Sequence, residues 1–260
     1  MVGVITGVQQ GTADREATTP QGFCLSPDVI LVTVDDGSAR MLDMTENFHA
    51  VSAVGARMLQ TTLAVGVESA IPLLAQHYHA DRQQIAADLN SFLSDLESQG
   101  LLRRHGQRLA AGDRGRLVTK LMSGIIRIVH LLPKPTTKAW LFLLLARLSF
   151  PLLGWTRTVQ VWRQAHAHFP SHKAGDADKE ALEVLDCTVR STASGHLVTM
   201  MCKERALCCW ALARAAGFDA ALVVGIDLFP IAGHCWCEVG AATPGDDTDR
   251  IAKFAPVGRW

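Results

Sequence analysis

The stretch from Cys202 to Val239 leaves this chain the least freedom. "CKERALCCWALARAAG" (202–217) has strong helix formers almost throughout and a glycine to end on. "FDAALVVGIDLF" (218–229) then reads as a strand, and "GHCWCEVG" (233–240) alternates like a second one. This helix–strand–strand stretch holds five of the chain's seven cysteines. They could serve a metal, a disulfide framework, or one reactive thiol among inert neighbours.

Cys202 opens the helix. A cysteine there meets unpaired backbone N–H groups and the positive end of the helix dipole, both of which favour the nucleophilic anion. Cys208 and Cys209 fall two turns further in, where that field has faded, and read as packing residues. On the second strand His234, Trp236 and Glu238 share one face, while Cys235, Cys237 and Val239 share the other. A histidine on a strand beside a helix-starting cysteine is the arrangement of nucleophilic cysteine chemistry. Its other ring nitrogen calls for an acceptor, and "GDDTD" (245–249) offers carboxylates after a turn. A core histidine in an apolar strand has the same spacing, so spacing alone keeps both readings open.

Zinc fits poorly. Cys208-Cys209 and Cys235-x-Cys237 lack the spacing of a ribbon or finger, and adjacent strand residues face opposite ways. No metal ligand is assigned. His166, His168 and His172 lie in "AHAHFPSHKAGDADKE" (165–180), read as a polar loop carrying solvent-exposed histidines. The opening "MVGVITGVQQGTADREATTP" has neither a basic start nor a long apolar core, so it does not read as a secretory signal. The odd, irregularly spaced cysteines are therefore expected to be reduced and the chain cytoplasmic.

At 260 residues, 48% of them hydrophobic and 19% charged, the chain can build one or two cores. Its formal net charge of zero argues against general affinity for nucleic acid. The strongest membrane candidate is "KAWLFLLLARLSFPLLGW" (138–155). Its unbroken apolar run, Ala139 to Ala146, is far short of the ~20 residues of a span, and Arg147 and Pro151 interrupt the rest. It reads as a buried or docking helix, with peripheral membrane contact left open.

Residues 1–20 read as a flexible arm. "VILVTVDDGSARMLDM" (29–44) reads as two strands around an Asp36-Gly37 turn, with "FCLS" before Pro27 as a third, short one. Helical periodicity is expected from Glu46 to about Gln60 and again over Val67–Tyr78. A third helix has Asp81 and Gln84 at capping-box spacing. Ile85, Leu89, Phe92, Leu93 and Leu96 share one of its faces, and Gly100 closes it. Residues 21–104 thus form a winged-helix-like unit. "RRHGQRLAAGDRGR" (103–116) is a polar break, with 105–116 as the linker. Residues 117–169 read as apolar helix cornered at Pro133 and Pro135, and a further helix runs from about Lys179 to Ser191.

"CKERAL…G" followed by "LVVGIDLFPIAGHCWCEV" resembles the lasso peptide biosynthesis B proteins, whose core is a transglutaminase-like cysteine protease. "KFAPVGRW" resembles that family's C-terminal strand. "LDMTENFHAVSAVGARML" and "ADLNSFLSDLESQGLL" resemble the PqqD-like precursor recognition elements of ribosomal peptide pathways. The resemblance implies an α+β chain: a PqqD-like, winged-helix-like domain (21–104) fused to a transglutaminase-like, papain-like protease domain (117–260). It implies Cys202 as nucleophile, His234 as base and Asp246 as triad acid. Asp247 could take that last role after a one-residue shift, because Pro244 and Gly245 make "AATPG" a poor strand.

The implied function is leader peptidase of lasso peptide maturation. The precursor's leader would add as a strand beside the third strand, taken as Arg40, Met41, Leu42, Asp43 and Met44, and pack near Leu89, Leu93 and Leu96 of the third helix. These leucines could equally be interior. The implied partner is an asparagine-synthetase-like cyclase. With no phosphate-cradling motif in this chain, ATP would be used by that partner or the assembled complex, leaving no cofactor here. The resemblance also implies a leader with Thr at its penultimate position. Another transglutaminase-like hydrolase, a catalytically inactive peptide-binding module and a winged-helix DNA reader are the alternatives. The acidic third helix, with Asp81, Asp88, Asp95 and Glu97, counts against the last.

Overall fold

The computed structural model describes residues 5–10, 22–44, 47–105 and 113–260. The chain divides into two compact units, Met1–Ala110 and Ala111–Trp260. The parting lies within the polar break. Residues 106–112 of the expected linker fall outside the described residues, and Asp113–Arg116 already belong to a helix.

The N-terminal unit runs β1 (Ile5–Gln10), β2 (Phe23–Leu25), β3 (Val29–Val34), β4 (Ala39–Asp43), β5 (Asn47–Val51), α1 (Ala53–Val65), α2 (Val67–Tyr78), α3 (Arg82–Ser98) and β6 (Leu102–Arg104). One antiparallel sheet has the order β1-β3-β4-β5, and β2 pairs with β6 in a second. The β3–β4 turn uses Gly37 at φ +80°, where a side chain would be strained. Two expectations change. Residues 5–10, read as flexible arm, form β1 and cover the edge of β3. The remaining arm positions lie outside the described residues. Residues 47–51, read as the start of a helix, form β5. "NFHAV" pairs residue for residue with β4, from Asp43↔Asn47 to Ala39↔Val51. The helix starts only after Ser52, whose side chain accepts the Gly55 N–H.

This pairing corrects the placement of the leader strand. β4, carrying Arg40, Met41, Leu42 and Asp43, is hydrogen-bonded to β3 on one side and β5 on the other. It has no edge for an added strand. Met44 lies past its end, donating its N–H to the Asp28 carbonyl at 2.9 Å. Leu89, Leu93 and Leu96 are buried in the core with Met41, Leu59 and Leu74, so they offer no surface. The α3 cap is half a capping box. Asp81 accepts the Gln83 and Gln84 N–H groups, but the Gln84 side chain turns to Asp88 instead of reaching back.

The C-terminal unit runs α4 (Asp113–His130), α5 (Pro135–His166), a single 3-10 turn at Asp176–Asp178, α6 (Lys179–Ser194), α7 (Cys202–Ala215), β7 (Ala220–Leu228), β8 (Ile231–Val239), α8 (Thr248–Ile251) and β9 (Ala255–Arg259). The sheet order is β8-β7-β9, all antiparallel. α7 sits at the centre, packed by α5, α6, β7 and β8. Every residue from Ala206 to Ala213 is buried, as expected for a helix apolar on all sides. α5 is long and apolar enough to cross a membrane by length and composition, but half of its most apolar window is buried in the fold. It bends at Gly154 (φ +73°), three residues after Pro151.

The helix carries on through "WRQAH", which corrects the reading of His166 as a solvent-exposed loop residue. His166 is fully buried. Its Nδ1–H donates to the Trp162 carbonyl at 2.7 Å, leaving Nε2 to accept from His130 Nε2–H at 2.7 Å. Burial pushes both imidazoles down, His130 to about 4 and His166 to about 3, so the pair is neutral near pH 7. His168 and His172 remain exposed.

On β7, Gly225 lies opposite His234. A Cβ there would sit 2.6 Å from the Trp236 ring and 3.0 Å from the Ala255 carbonyl oxygen. Gly225→Ala is therefore expected to displace Trp236 and destabilise this unit by about 1–3 kcal/mol. Urea denaturation of the variant tests this, and an unchanged midpoint would show that the ring moves at no cost.

Candidate active site

Three elements converge on one imidazole. β8 presents His234, 2% exposed, between Trp236 (centroids 6.1 Å apart) and Phe254 (5.1 Å). The loop before α8 presents Asp246, whose Oδ2 accepts from His234 Nε2 at 2.6 Å. α7 presents Cys202 at its first turn, half-buried and close enough to interact with the His234 imidazole. With Nε2 committed to Asp246, Nδ1 is the nitrogen left for the thiol. The structure thus brings Cys202, His234 and Asp246 together.

Asp247 has a different task. It caps α8, accepting the Asp249 N–H at 3.0 Å. Asp246 Oδ1 meanwhile accepts the Asp247 N–H at 2.9 Å. Pro244 and Gly245, which spoil a strand, suit the loop that replaces it. Gly245 takes φ +85°, and a Cβ on it would lie 3.4 Å from Cys209 Sγ. The Cys209 thiol donates to the Pro244 carbonyl at 3.0 Å. From α6, Asp186 accepts the Gly245 N–H at 2.7 Å and holds Arg190 Nε at 2.7 and 2.9 Å. Arg190 in turn donates to the Asp246 carbonyl. An ion pair on one helix and a buried thiol on another thus grip the segment bearing the carboxylate.

The start of α7 has its own brace. Glu204, fully buried, accepts the Met201 N–H at 2.6 Å and Arg147 at 3.2 Å. That is the reaching-back half of a capping box, with the buried carboxylate neutralised from α5. Asp186, Arg190, Glu204 and Arg147 were not among the residues singled out from sequence. Glu204 had a local signal, its place three residues after the cap, and Asp186 and Arg190 stand at ion-pair spacing on one helix. Their reach to the Asp246 segment, and that of Arg147 to Glu204, is across elements.

The electrostatics follow from burial and pairing. Burial alone would push His234 down. The interactions with Asp246 and Cys202 overcome it and raise His234 to about 9. Burial would push Asp246 up, but the His234 and Asp247 hydrogen bonds hold it below the usual carboxylate range. Cys208, Cys209 and Cys235 are fully buried, and desolvation contributes to pushing each thiol well up; at Cys209 the hydrogen bond with Cys237 is the largest cause. Among the described residues, no group of three or more His, Cys, Asp or Glu side chains is placed to hold a metal.

Residues 140–259 match the Transglutaminase-like superfamily, and residues 31–102 match Coenzyme PQQ synthesis protein D (PqqD). The chain is thus α+β, with a PqqD domain at its N-terminal end and a transglutaminase-like domain at its C-terminal end. This pairing in one chain matches a fused lasso peptide B protein. PqqD-like domains bind precursor peptides and partner enzymes in ribosomal peptide pathways, and the transglutaminase-like superfamily generally contains cysteine hydrolases. No curated protein and no solved structure gives a significant match to the chain.

The His234–Asp246 pair makes stability depend on pH in a defined way. The raised imidazole stabilises the fold fully below about 6.5, and that contribution is lost as pH rises through about 9. The lowered carboxyl stabilises above 3.8 and is lost as pH falls below it. Asp246→Asn should therefore cost most between these limits, on the order of 3 kcal/mol near pH 5.5, and clearly less near pH 9.5. Denaturant titrations of both proteins at the two pH values test it. An equal difference at both would mean the pair is not ionised.

Proposed function

We propose that this chain is the leader peptidase of lasso peptide maturation, binding the precursor's leader through its N-terminal unit and cutting the leader–core amide at Cys202. The observation that carries the reading is the Cys202–His234–Asp246 arrangement in a chain that also bears a PqqD domain.

Cys202 sulfur attacks the carbonyl carbon at the junction. Its backbone N–H, at the first position of α7, has no partner within the helix and would serve as an oxyanion donor. His234 is cationic near pH 7 and gives its proton to the departing amine of the core. The leader is left as a thioester on Cys202. His234, now neutral, takes a proton from water as the water attacks, releasing the leader acid and returning the Cys202 sulfur and the cationic His234 to their starting state. Asp246 holds the imidazole on Nε2 throughout. Leu197, Val198 and Met201, exposed just before Cys202, give the substrate chain apolar surface to lie on. The freed core amine is the nucleophile for an asparagine-synthetase-like cyclase, and ATP use belongs to that partner.

Leader addition falls to β5 instead of β4. Among the described residues β5 is an outer strand of its sheet, β1 being the other, and an added strand would gain main-chain hydrogen bonds along Phe48–Val51. Half-buried Phe92 of α3 lies beside this strand. A Cβ on Gly55 would touch both Phe92 (3.3 Å) and Val51 (3.0 Å), so an aromatic wall flanks the end of β5.

Cys202→Ala should abolish precursor cleavage and leave leader affinity unchanged. On leader binding, amide protection should rise at β5 and stay constant at β4, read by hydrogen exchange. Cleavage by the alanine variant would end the peptidase reading. Protection confined to other strands would end the β5 assignment.

The grip on the Asp246 segment should show in catalysis. Asp186→Asn keeps the side-chain shape but loses the charge that holds Arg190. It is expected to lower kcat on the order of 10- to 100-fold with KM nearly constant, as steady-state cleavage kinetics would read. A rise in KM alone would place Asp186 in substrate binding instead.

A further inference from the structure

The chain has 25 Lys and Arg against 25 Asp and Glu, but the charges are segregated. From Arg114 to Gly175 there are ten Lys or Arg and no Asp or Glu. This cationic stretch includes α4, α5 and the residues just beyond. Within it, α4 has two apolar faces. Met122, Ile126 and Val129 are buried, and α4 packs on α5. On the opposite face Leu117, Leu121 and Ile128, with Leu131 just past the helix end, are 68%, 61%, 63% and 82% exposed.

Their spacing, with Gly124 between, follows i, i+4, i+7, i+11, i+14, one straight stripe about 21 Å long at 1.5 Å per residue. Gly124 leaves open space where a side chain would stand. Arg116, Lys120 and Arg127, all exposed, form a row along one flank. The stripe ends in an open cleft of about 560 Å³ lined by Arg127, Ile128, His130, Leu131, His168 and Phe169.

We propose that this face of α4, with its cleft, docks on an anionic lipid bilayer. An exposed apolar stripe flanked by cations is the pattern of a helix lying in a membrane interface, apolar side among acyl chains and cations at the headgroups. The cleft brings Arg127 and His168 beside the apolar Ile128, Leu131 and Phe169, suiting a phosphate head and the first carbons of its chain. A second copy of this chain fits less well, since an antiparallel pairing of two stripes would bring two cationic rows to the same side. The proposal does not depend on the peptidase reading.

The test is co-sedimentation of the full chain with vesicles of phosphatidylcholine alone and of phosphatidylcholine with phosphatidylglycerol, at low and high salt. Binding to the anionic vesicles is expected, weakened by salt. It should fall about fivefold for each cation removed in Arg116→Gln, Lys120→Gln and Arg127→Gln. Leu121→Ser with Ile128→Ser should abolish retention while thermal unfolding stays unchanged, because the stripe is exposed. Equal binding to both vesicle types, indifference to these substitutions, or no binding would overturn the proposal. So would a dimer, seen by light scattering without lipid, that the serine substitutions dissolve.

Discussion

Burial of α7 on every side is the constraint from which the C-terminal unit follows. A helix whose middle, Ala206 to Ala213, has no solvent face must be enclosed, and α5, α6 and the β7–β8 pair enclose it. Its small residues and cysteines let those elements approach closely. Cys202 is then not free to wander, because it begins a helix clamped along its length and braced at its start by Glu204 and Arg147. The imidazole opposite is fixed in the same manner. It comes from a strand packed on that helix and is held between two aromatic rings. A thiol and a base from distant parts of the chain meet because one element is inaccessible to water.

Legibility in the sequence followed the range of the forces involved. Cys202 was readable because helix propensity and helix-end electrostatics are local. His234 was readable from strand alternation. Asp246 against Asp247 was not, since one-residue register in a Pro-Gly loop is decided by Asp186, Arg190 and Cys209, which reach it from other helices. His166 was misread for a related reason. "AHAHFPSH" is polar in composition, but the helix packing brought His130 to satisfy its second nitrogen. A buried histidine and a loop histidine look alike until the partner is in view.

The N-terminal unit shows the opposite error. "ENFHAVSAVGARML" supports helical periodicity, and the aromatic and β-branched positions at 48–51 were absorbed into it. The partner strand decided the matter: β4 had an edge to satisfy, and Ser52 was available to start the helix about two turns later. Once β5 exists, β4 becomes internal and the leucines of α3 close the core beneath. The family resemblance pointed to the PqqD domain that residues 31–102 match, while the strand it named lacks the free edge that strand addition needs.

Seven thiols are present, yet chemically they are far from equivalent. Cys208, Cys209, Cys235 and Cys237 are buried, leaving Cys24 and Cys202 half-buried and Cys187 exposed. Cys24 also has its sulfur turned to the Arg103 carbonyl. A soluble electrophile therefore meets a short list of sites on the folded chain, and all seven once it unfolds. The count of modified thiols becomes a gauge of foldedness, and Cys187→Ser would leave a chain in which a single-site label or a peptide-borne warhead has Cys202 as its principal target.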